Sequence, residues 1–467
     1  MRKKRAYKKT VSIVKEESAE IYERLAGNGK GFLLESYSKD YDRYTFIGAE
    51  PEEMITSGKN MLVITKPDGR REERRGNPLL LLSEYYKEFQ VEKEDEELVF
   101  TGGLVGSLGY DFVRYSECLP DHNKEETGTE TIQLMLITSF LVIDHIAETL
   151  TAVVLEEDKP GAEERAMEKA EDMLAKARQK KQTMRRLCHD GKIIEQSDSM
   201  EEYCSKVEKI KDYIREGHVF QTVLSQRWTI ETRQSGFALY KELRELNPSP
   251  YLYYFNYGSF EVIGSSPEML VKKQGDKVFT CPIAGTRRRG RDEAEDRYLQ
   301  QELLSDEKEK AEHVMLVDLA RNDMGRISEF GSVKVTRFME VKNYSHVMHI
   351  VSKVEGRTQA DRNPLELAAS FIPAGTLSGA PKIRAMEIID ELENVRRGLY
   401  GGATGYIDFS GDMDLCITIR TMVKKGDLVY LQAGAGIVAD SVPEKEYREC
   451  CNKVMALAET LIEEENL

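Results

Sequence analysis

The sequence predicts an α+β fold of large, mostly antiparallel sheets with helices around them, and three observations support this class. From Gly31 to about Leu155, short apolar runs such as TLTAVVL alternate with turn signals. In the second half, helical and strand-like periods alternate, and the last strands are joined by SGDMD and KKGD turns. The 467 residues are 40% hydrophobic and 32% charged with a mean hydropathy of -0.50, as in globular chains of two or three domains.

The first half begins with a basic segment and continues with strands. MRKKRAYKKT has no apolar stretch behind it, so we expect a solvated arm and no targeting sequence. GFLLES, YTFIG, MLVIT, LITSFLVIDH and TLTAVVL predict strands, with the glycine-dense TGGLVGSLGYDFVRY between them. Pro160 to Leu187 predicts an exposed helix, followed by a polar linker through Asp198. The predicted division of the chain is therefore 1–160, 161–198 and 199–467.

The second half predicts helices around a further set of strands. Helices are expected from Ser199 to Glu216, over most of Arg291 to Arg321, from Lys382 to Leu392, and from about Pro443 to Glu465. HVFQTVLSQRWTIET predicts a strand, and SPYLYYFNYG, EVIGSS and MLVKKQGDKVFTCPIAG predict a meander. The segment from ATGYID to LQAGAG predicts three strands.

Charge and cysteine content exclude several function classes. A net charge of -15 disfavours binding to phosphate backbones, and no run reaches the ~18 apolar residues of a membrane-spanning helix. The seven cysteines form no CxxC pair and no metal-ligand spacing, so we expect reduced thiols in a cytoplasmic protein.

Two carboxylate pairs lie on predicted helices. Glu309 and Glu312, like Glu446 and Glu449, are three residues apart, so each pair occupies one helix face. If the two faces meet, they form an oxygen site suited to Mg²⁺; otherwise they are solvated faces.

Other segments allow an anion site or a plain turn. Gly434 to Gly436 are expected directly after a strand, where small residues let backbone N–H groups approach an anion. The arginines of PIAGTRRRG could hold anions or form a surface loop. His346 and His349 lie on a predicted strand and are candidates for catalysis or for structural roles. No GxSxG or HExxH motif is present.

These segments together resemble a known family. SPEMLV, PIAGTR, AEHVMLVDLARND, YSHVMH, PAGTLSGAPK, RGLYGGATGY, LCITIRT, QAGAGIVADS and ExxExxNK resemble, in this order, the motifs of the chorismate-utilising enzymes. LLES, DRYTFIG and GLVGSLGYDFVRYSE resemble the accompanying domain of the large (component I) subunit of anthranilate synthase. The resemblance implies two intertwined subdomains, with a regulatory tryptophan pocket in 1–160 and a chorismate-binding catalytic domain in 199–467.

Two positions distinguish members of this family by their nucleophile. Gln221 stands where isochorismate- and salicylate-forming relatives carry a lysine that activates water, and Ala284 stands where aminodeoxychorismate synthases often carry a nucleophilic lysine. Because a methyl group cannot attack a ring carbon, ammonia is the expected nucleophile. The resemblance implies a lyase that converts chorismate and ammonia to anthranilate and pyruvate via aminodeoxyisochorismate. An aminodeoxychorismate synthase component I and an inactive tryptophan-sensing homologue are the alternatives.

The resemblance also implies a set of site residues. The catalytic residues would be Glu268 as the general acid, His349 for the loss of pyruvate, Gln221 and Thr376. Glu312 and Glu449 would hold Mg²⁺, with Glu309 and Glu446 as outer partners. The substrate would be lined by Gly285, Thr286, Tyr400, Arg420, Gly434, Ala435, Gly436 and Lys453.

A partner and an inhibitor are implied as well. Nothing resembles the GxCxGxQ elbow of a glutamine amidotransferase, so a separate glutaminase subunit (component II) is expected to supply ammonia. LLES and NPSPYLYY resemble the tryptophan pocket of regulated enzymes, which assigns inhibitor binding to Ser36, Pro250, Tyr251 and Leu252. Leu252 stands where many relatives have methionine, and a pocket kept only for structural reasons is the alternative.

Overall fold

The computed structural model describes residues 2–13, 18–36, 43–91, 98–179, 189–344, 347–358 and 362–462. Its centre is formed by two large, mostly antiparallel sheets with helices around them, which confirms the predicted class. The helices are α1 (Ser18–Leu25), α2 (Pro78–Lys87), α3 (Ala162–Ala177), α4 (Met200–Arg215), α5 (Gly236–Leu246), α6 (Glu293–Ser305), α7 (Glu307–Gly325), α8 (Pro364–Phe371), α9 (Lys382–Leu392) and α10 (Pro443–Ala458).

The strands of the first half all lie between residues 2 and 157. They are β1 (Arg2–Ser12), β2 (Gly31–Glu35), β3 (Tyr44–Ala49), β4 (Glu53–Gly58), β5 (Met61–Thr65), β6 (Arg71–Arg75), β7 (Phe89–Val91), β8 (Gly103–Leu108), β9 (Ile132–Ile137), β10 (Ser139–Asp144) and β11 (Thr149–Glu157).

The strands of the second half begin at residue 192. They are β12 (Lys192–Gln196), β13 (Gln221–Glu231), β14 (Tyr251–Asn256), β15 (Glu261–Ser266), β16 (Met269–Gln274), β17 (Lys277–Thr280), β18 (Ile283–Arg288), β19 (Lys334–Asn343), β20 (Val347–Arg357), β21 (Gly379–Ala380), β22 (Ala403–Asp408), β23 (Met413–Ile417), β24 (Thr421–Lys425) and β25 (Leu428–Ile437).

Each sheet contains strands from both halves of the chain. Sheet A has the order β12-β13-β25-β24-β15-β14-β2-β3-β10-β11-β1-β7, and β21 pairs with β13. Sheet B has the order β18-β20-β17-β16-β23-β22-β8-β9-β4-β5-β6, and β19 pairs with β20. The halves join where β14 pairs with β2 and where β22 pairs with β8, so the predicted intertwining is confirmed. The domain limits at 160 and 199 stay a prediction.

The junction in sheet B needs glycine. Gly106 of β8 faces Gly405 of β22, with φ angles of 148° and 152°. A Cβ atom on Gly106 would lie 2.2 Å from the Gln133 carbonyl oxygen, and one on Gly405 would lie 2.1 Å from the Asp414 carbonyl oxygen. This close approach explains the glycine density of TGGLVGSLG and GGATG.

The core lies mainly between the two sheets. Phe100 packs against Phe46 of sheet A and Tyr406 of sheet B, with ring centroids 5.7 and 4.8 Å apart. A second buried cluster joins sheet A to α1, α3, α5 and α10 and includes Trp228 and Tyr240. Both cores therefore depend on residues from the two halves together.

Two expectations about the chain ends and linker are wrong. The basic N-terminal segment is not a solvated arm but strand β1, which pairs with β11 and β7. Successive side chains of this strand point to opposite faces, and Lys4 is buried and donates to Glu52 over 2.9 Å. The predicted linker contains β12, which pairs with β13. The apolar residues of this linker segment are too few to produce the alternating pattern that predicts a strand.

Three expectations about the second half are also wrong. The predicted meander is divided between the sheets, because β14 and β15 belong to sheet A while β16 and β17 belong to sheet B. The predicted three final strands are four, since LCITIRTMVKK bends after β23 and continues as β24 in the other sheet. Gly434 to Gly436 lie inside β25 and not after it.

Candidate active site

The chain crosses between the sheets at two adjacent points. It passes from β15 to β16 through Pro267 and Glu268, and it returns from β23 to β24 through Arg420. The crossings are bonded to each other, because the Ile417 N–H donates to the Glu268 carbonyl (3.0 Å) and the Ser265 N–H donates to the Arg420 carbonyl (3.1 Å). Arg420 has a φ of 48°, a left-handed conformation that a non-glycine residue adopts only where its surroundings hold it.

A cavity of about 520 Å³ lies beside these crossings, within the usual range for small-molecule sites. The elements around it include β13, β18, β20, β25, α7 and α10. Twelve of the predicted catalytic, substrate-binding and metal-binding residues line it: Gln221, Glu268, Thr286, Glu312, His349, Thr376, Tyr400, Arg420, Gly434, Gly436, Glu449 and Lys453.

Four predicted residues do not line the cavity: Gly285, Glu309, Ala435 and Glu446. Ala435 is fully buried on the opposite face of β25, against α4 and α9, because neighbouring residues of a strand point to opposite sides. His346 lies outside the described residues.

Glu268 has the properties of a general acid near neutral pH. Burial raises the pKa of its carboxyl group from 4.5 to about 7, although Thr376, Arg420 and Lys453 act in the opposite direction. The Thr376 hydroxyl donates to Glu268 Oε1 over 3.3 Å. The carboxyl group is therefore protonated in a large fraction of molecules at pH 7.

His349 of β20 is held as a neutral imidazole. Burial lowers its pKa below the ordinary value, and Arg420 acts in the same direction. Its Nδ1 donates to the Gly285 carbonyl (3.1 Å) and lies 3.0 Å from Thr286 Oγ1. Gly285 has a φ of 68°, which favours glycine at this point of β18. Because Nδ1 carries the proton, Nε2 has a free lone pair and can act as a base.

The two carboxylate pairs approach each other from α7 and α10. Burial raises the pKa of Glu312, and the neighbouring charges of Glu309 and Glu449 raise it further. Burial and Glu449 likewise raise the pKa of Glu446. Lys453 Nζ relieves part of this repulsion, since it lies 2.8 Å from Glu449 Oε1.

This arrangement fits a hard divalent cation. Within the described ranges, no group of three or more acidic, histidine or cysteine side chains converges as a ready metal cage. Mg²⁺ commonly uses one or two carboxylates and takes its other ligands from water and substrate. Glu312 of α7 and Glu449 of α10, whose charges repel each other, both line the cavity and are suited to that mode.

Gln221 is placed to contact a small polar ligand. It lines the cavity at the start of β13, and its Oε1 is buried without a hydrogen-bond partner in the described part of the chain. A Cβ atom on Gly436 would lie 2.4 Å from Gln221 Nε2, so a larger residue there would displace this amide. Ala284 lines the same cavity and brings no amine.

A smaller cavity of about 110 Å³ lies between β2, β14 and sheet B. All four residues assigned to inhibitor binding line it: Ser36, Pro250, Tyr251 and Leu252. The Ser36 hydroxyl is buried and has no partner among the residues described. Pro250 lines both cavities, so the segment before β14 separates them.

Sequence reasoning missed several polar residues of the larger cavity. Asn247, Ser249, Tyr344 and Gln432 line it, and the Tyr344 ring lies edge-on to His349 with centroids 5.5 Å apart. Ser249 and Asn247 belong to the segment assigned only to the inhibitor pocket. Gln432 follows from strand alternation, since it is two residues before Gly434.

Comparison with known proteins gives a consistent picture. The family model described as chorismate binding enzyme matches residues 30–459. Anthranilate synthase component 1 of Acetivibrio thermocellus is 45% identical over 456 residues, covering 95% of this chain and 92% of that protein. The crystal structure of anthranilate synthase component I from Streptococcus pneumoniae has a TM-score of 0.79 at 38% identity, covering 89% of this chain and 92% of that one.

A more distant structure shares the fold alone. The menaquinone-specific isochorismate synthase of Escherichia coli has a TM-score of 0.75 at 17% identity, covering 98% of this chain and 94% of that one. No helix in the described residues is long and apolar enough to cross a membrane.

Proposed function

The chain belongs to the family of chorismate binding enzymes, and we propose on that premise that it acts as an anthranilate synthase component in tryptophan biosynthesis, converting chorismate and ammonia to anthranilate and pyruvate. One observation carries the proposal. A single cavity holds Glu268, whose pKa is raised to about 7, and His349, whose pKa is lowered. A carboxyl group whose pKa is raised keeps its proton at higher pH, and an imidazole whose pKa is lowered stays neutral at lower pH, so the two supply an acid and a base at the same pH.

In the first step, ammonia adds to ring carbon C2 and the C4 hydroxyl leaves. Glu268 gives its proton to that hydroxyl, which departs as water. The unpartnered Gln221 Oε1 can accept an N–H of the incoming ammonia. After attack, the new ammonium group loses one proton, and the product is aminodeoxyisochorismate.

In the second step, the ring loses pyruvate and becomes aromatic. The free Nε2 of His349 takes the proton from C2 as the C–O bond between the ring and the enolpyruvyl group breaks, and the departing enolate gains a proton at its methylene carbon to give pyruvate. The Nδ1 bond to the Gly285 carbonyl fixes the tautomer that this step requires.

Substrate binding requires positive charge, because chorismate is a dianion and the cavity contains carboxylates. Arg420 and Lys453 are the cationic side chains at the cavity, and Tyr400 adds a phenol. Arg420 and Tyr400 are suited to the enolpyruvyl carboxylate. Mg²⁺ held by Glu312 and Glu449, with Glu309 and Glu446 outside them, would supply the positive charge for the ring carboxylate and make the enzyme a Mg²⁺-dependent lyase.

The direct test is turnover by the purified chain with chorismate, Mg²⁺ and ammonium at mildly alkaline pH. We expect anthranilate and pyruvate in equal amounts, measured by fluorescence and chromatography. Accumulation of aminodeoxychorismate, or no turnover, would contradict the proposal. Glu268→Gln should lower kcat by about 100-fold or more, since it removes the general acid.

We also propose that tryptophan inhibits the enzyme through the smaller cavity. The buried, unpartnered Ser36 hydroxyl supports this, because it offers a hydrogen bond to a polar ligand. Ser36→Leu should keep turnover and lose both inhibition and the thermal stabilisation by tryptophan. Loss of turnover together with unchanged tryptophan binding would contradict this assignment.

A glutamine amidotransferase subunit is the proposed source of ammonia, in line with the designation of the relatives as component 1. The described cysteines are free thiols, which supports a reducing compartment such as the cytoplasm.

A further inference from the structure

The arginine run that follows Gly285 is not an anion site. Arg288 and Arg291 both pair with Glu295 of α6, and Arg289 pairs with Asp296. None of these arginines lines the larger cavity. The run therefore binds α6 to the end of β18 through ion pairs within the protein.

Arg287 differs from its neighbours because its guanidinium makes five hydrogen bonds. Nε and Nη2 donate to the two carboxylate oxygens of Glu302 over 3.0 and 3.1 Å. Nη2 also donates to Asp306 Oδ2 (2.8 Å). Nη1 donates to Glu309 Oε1 (3.2 Å) and to the Thr286 carbonyl (2.9 Å). A guanidinium has five N–H groups, so this one is fully used.

Two of the carboxylate acceptors of Arg287, Asp306 and Glu309, lie at the start of α7, and the third, Glu302, lies near the end of α6. Asp306 is the N-cap of α7 and accepts from the backbone N–H groups of Lys308 (3.0 Å) and Glu309 (3.2 Å). Glu312 follows three residues after Glu309 and lines the cavity. Arg287 itself belongs to β18, which also carries Thr286 of the cavity wall.

Glu309 lies close to both Arg287 and Gly285 of β18. Its Oε1 accepts from Arg287, while its Oε2 lies close to Gly285, where a Cβ atom would be only 3.2 Å away. Without the guanidinium, the carboxylates of Glu302, Asp306 and Glu309 would repel one another, and the first turn of α7 would lose its link to β18.

We propose that Arg287 is a positioning residue that fixes the first turn of α7 against β18 and thereby holds Glu309 and Glu312 in place for the divalent cation. This inference rests on the proposed function, in which these carboxylates serve Mg²⁺. Partners of this kind, one contact away from a metal ligand, change metal affinity by about 10- to 100-fold when removed. A lysine side chain could not replace this planar guanidinium, which has five N–H donors.

The test compares Arg287→Met with Arg288→Met. The control removes the same side chain from the adjacent position, where 62% of the side chain is exposed and the ion pair reaches only α6. Mn²⁺ is the probe, and its binding is measured by electron paramagnetic resonance without turnover. We expect Arg287→Met to weaken Mn²⁺ binding about 10- to 100-fold and Arg288→Met to change it less than about twofold. Equal effects of the two substitutions would overturn the proposal.

A double-mutant cycle tests the route through Glu309. If Arg287 acts through that carboxylate, Arg287→Met combined with Glu309→Gln loses less affinity than the product of the two separate losses. Losses that simply multiply would overturn the proposal. If Arg287→Met does not fold by circular dichroism, Arg287→Lys against Arg288→Lys makes the same comparison.

Different results would refute the proposed function and the proposed role of Arg287. A wild-type chain that binds Mn²⁺ but forms no anthranilate refutes the proposed function and leaves the Mn²⁺ comparison valid. A wild-type chain that forms anthranilate while the two variants bind Mn²⁺ alike refutes only the role of Arg287.

Discussion

Replacing Glu268 by glutamine should stabilise the protein at pH 8 while it removes the general acid. The pKa of Glu268 is raised from 4.5 to about 7 by burial. Between these pH values the folded chain keeps a proton that the unfolded chain has lost, so stability falls as pH rises. The raised pKa corresponds to about 3 kcal/mol of lost stability, fully present above pH 7. Glutamine cannot ionise and avoids this loss.

Differential scanning calorimetry without substrate or divalent cation measures the effect. For a chain of this length the unfolding entropy is about 1 kcal/mol per kelvin, so Tm should rise by about 3 °C at pH 8. At pH 5 little of the loss has developed, and the gain should be about 1 °C. Glu168→Gln on the exposed face of α3 is the control and should change Tm equally at both pH values.

An equal Tm difference at pH 5 and pH 8 would refute the reasoning, because the gain must grow as Glu268 ionises. A lower Tm for the glutamine variant at pH 8 would refute it as well. In that case the folded protein would stabilise the carboxylate form, and Glu268 could not serve as the acid near neutral pH.

Three further predictions follow from the cavity. Thr376→Val removes a hydrogen bond of 3.3 Å that lowers the pKa of Glu268. The alkaline limb of the pH profile of kcat, measured at constant free ammonia, should therefore move to higher pH by about 0.5 pH unit. A shift to lower pH would contradict this prediction. Gly436→Ala places a Cβ atom 2.4 Å from the Gln221 amide, so KM for ammonia should rise about 10- to 100-fold; an unchanged KM would contradict it. Lys445 and Arg448 of α10 are exposed and line a second cavity that shares Arg420 and Lys453 with the larger one. Lys445→Glu with Arg448→Glu should therefore lower kcat/KM for chorismate about tenfold at low salt and flatten its salt dependence; an unchanged salt dependence would contradict this prediction.

The strand pattern could be predicted from the sequence, but the sheet to which each strand belongs could not. EVIGSSPEMLV gives two apolar runs separated by a short polar step, which local periodicity treats as a hairpin. In the structure Ser266 ends a strand of sheet A and Met269 begins a strand of sheet B. Their partners, β24 and β23, lie about 150 residues further along the chain, and no local signal contains that information.

The candidate site shows the same limit at the level of single residues. Each glutamate pair lies on a helix, as predicted, and the i,i+3 spacing indicated only that its two members share a helix face. The spacing did not show that Glu312 and Glu449 line the cavity, whereas Glu309 accepts a hydrogen bond from Arg287. The spacing of residues shows only which side chains of one helix share a face. Which of two neighbouring carboxylates reaches the cavity depends on the side chains of the elements packed against that helix.

The position of Glu268 explains why the general acid lies at a crossing between sheets. A carboxyl group at the centre of a strand would face either the core, without room for substrate, or the solvent, without burial to raise its pKa. At the crossing, Ile417 and Thr376 of two other segments donate hydrogen bonds to Glu268, which is buried and also lines the cavity. Motif SPE locates the residue in the sequence, but the property that makes it an acid comes from segments more than 100 residues away. A substitution that loosens the crossing without touching substrate should therefore lower the pKa of Glu268 and move the alkaline limb of kcat to lower pH.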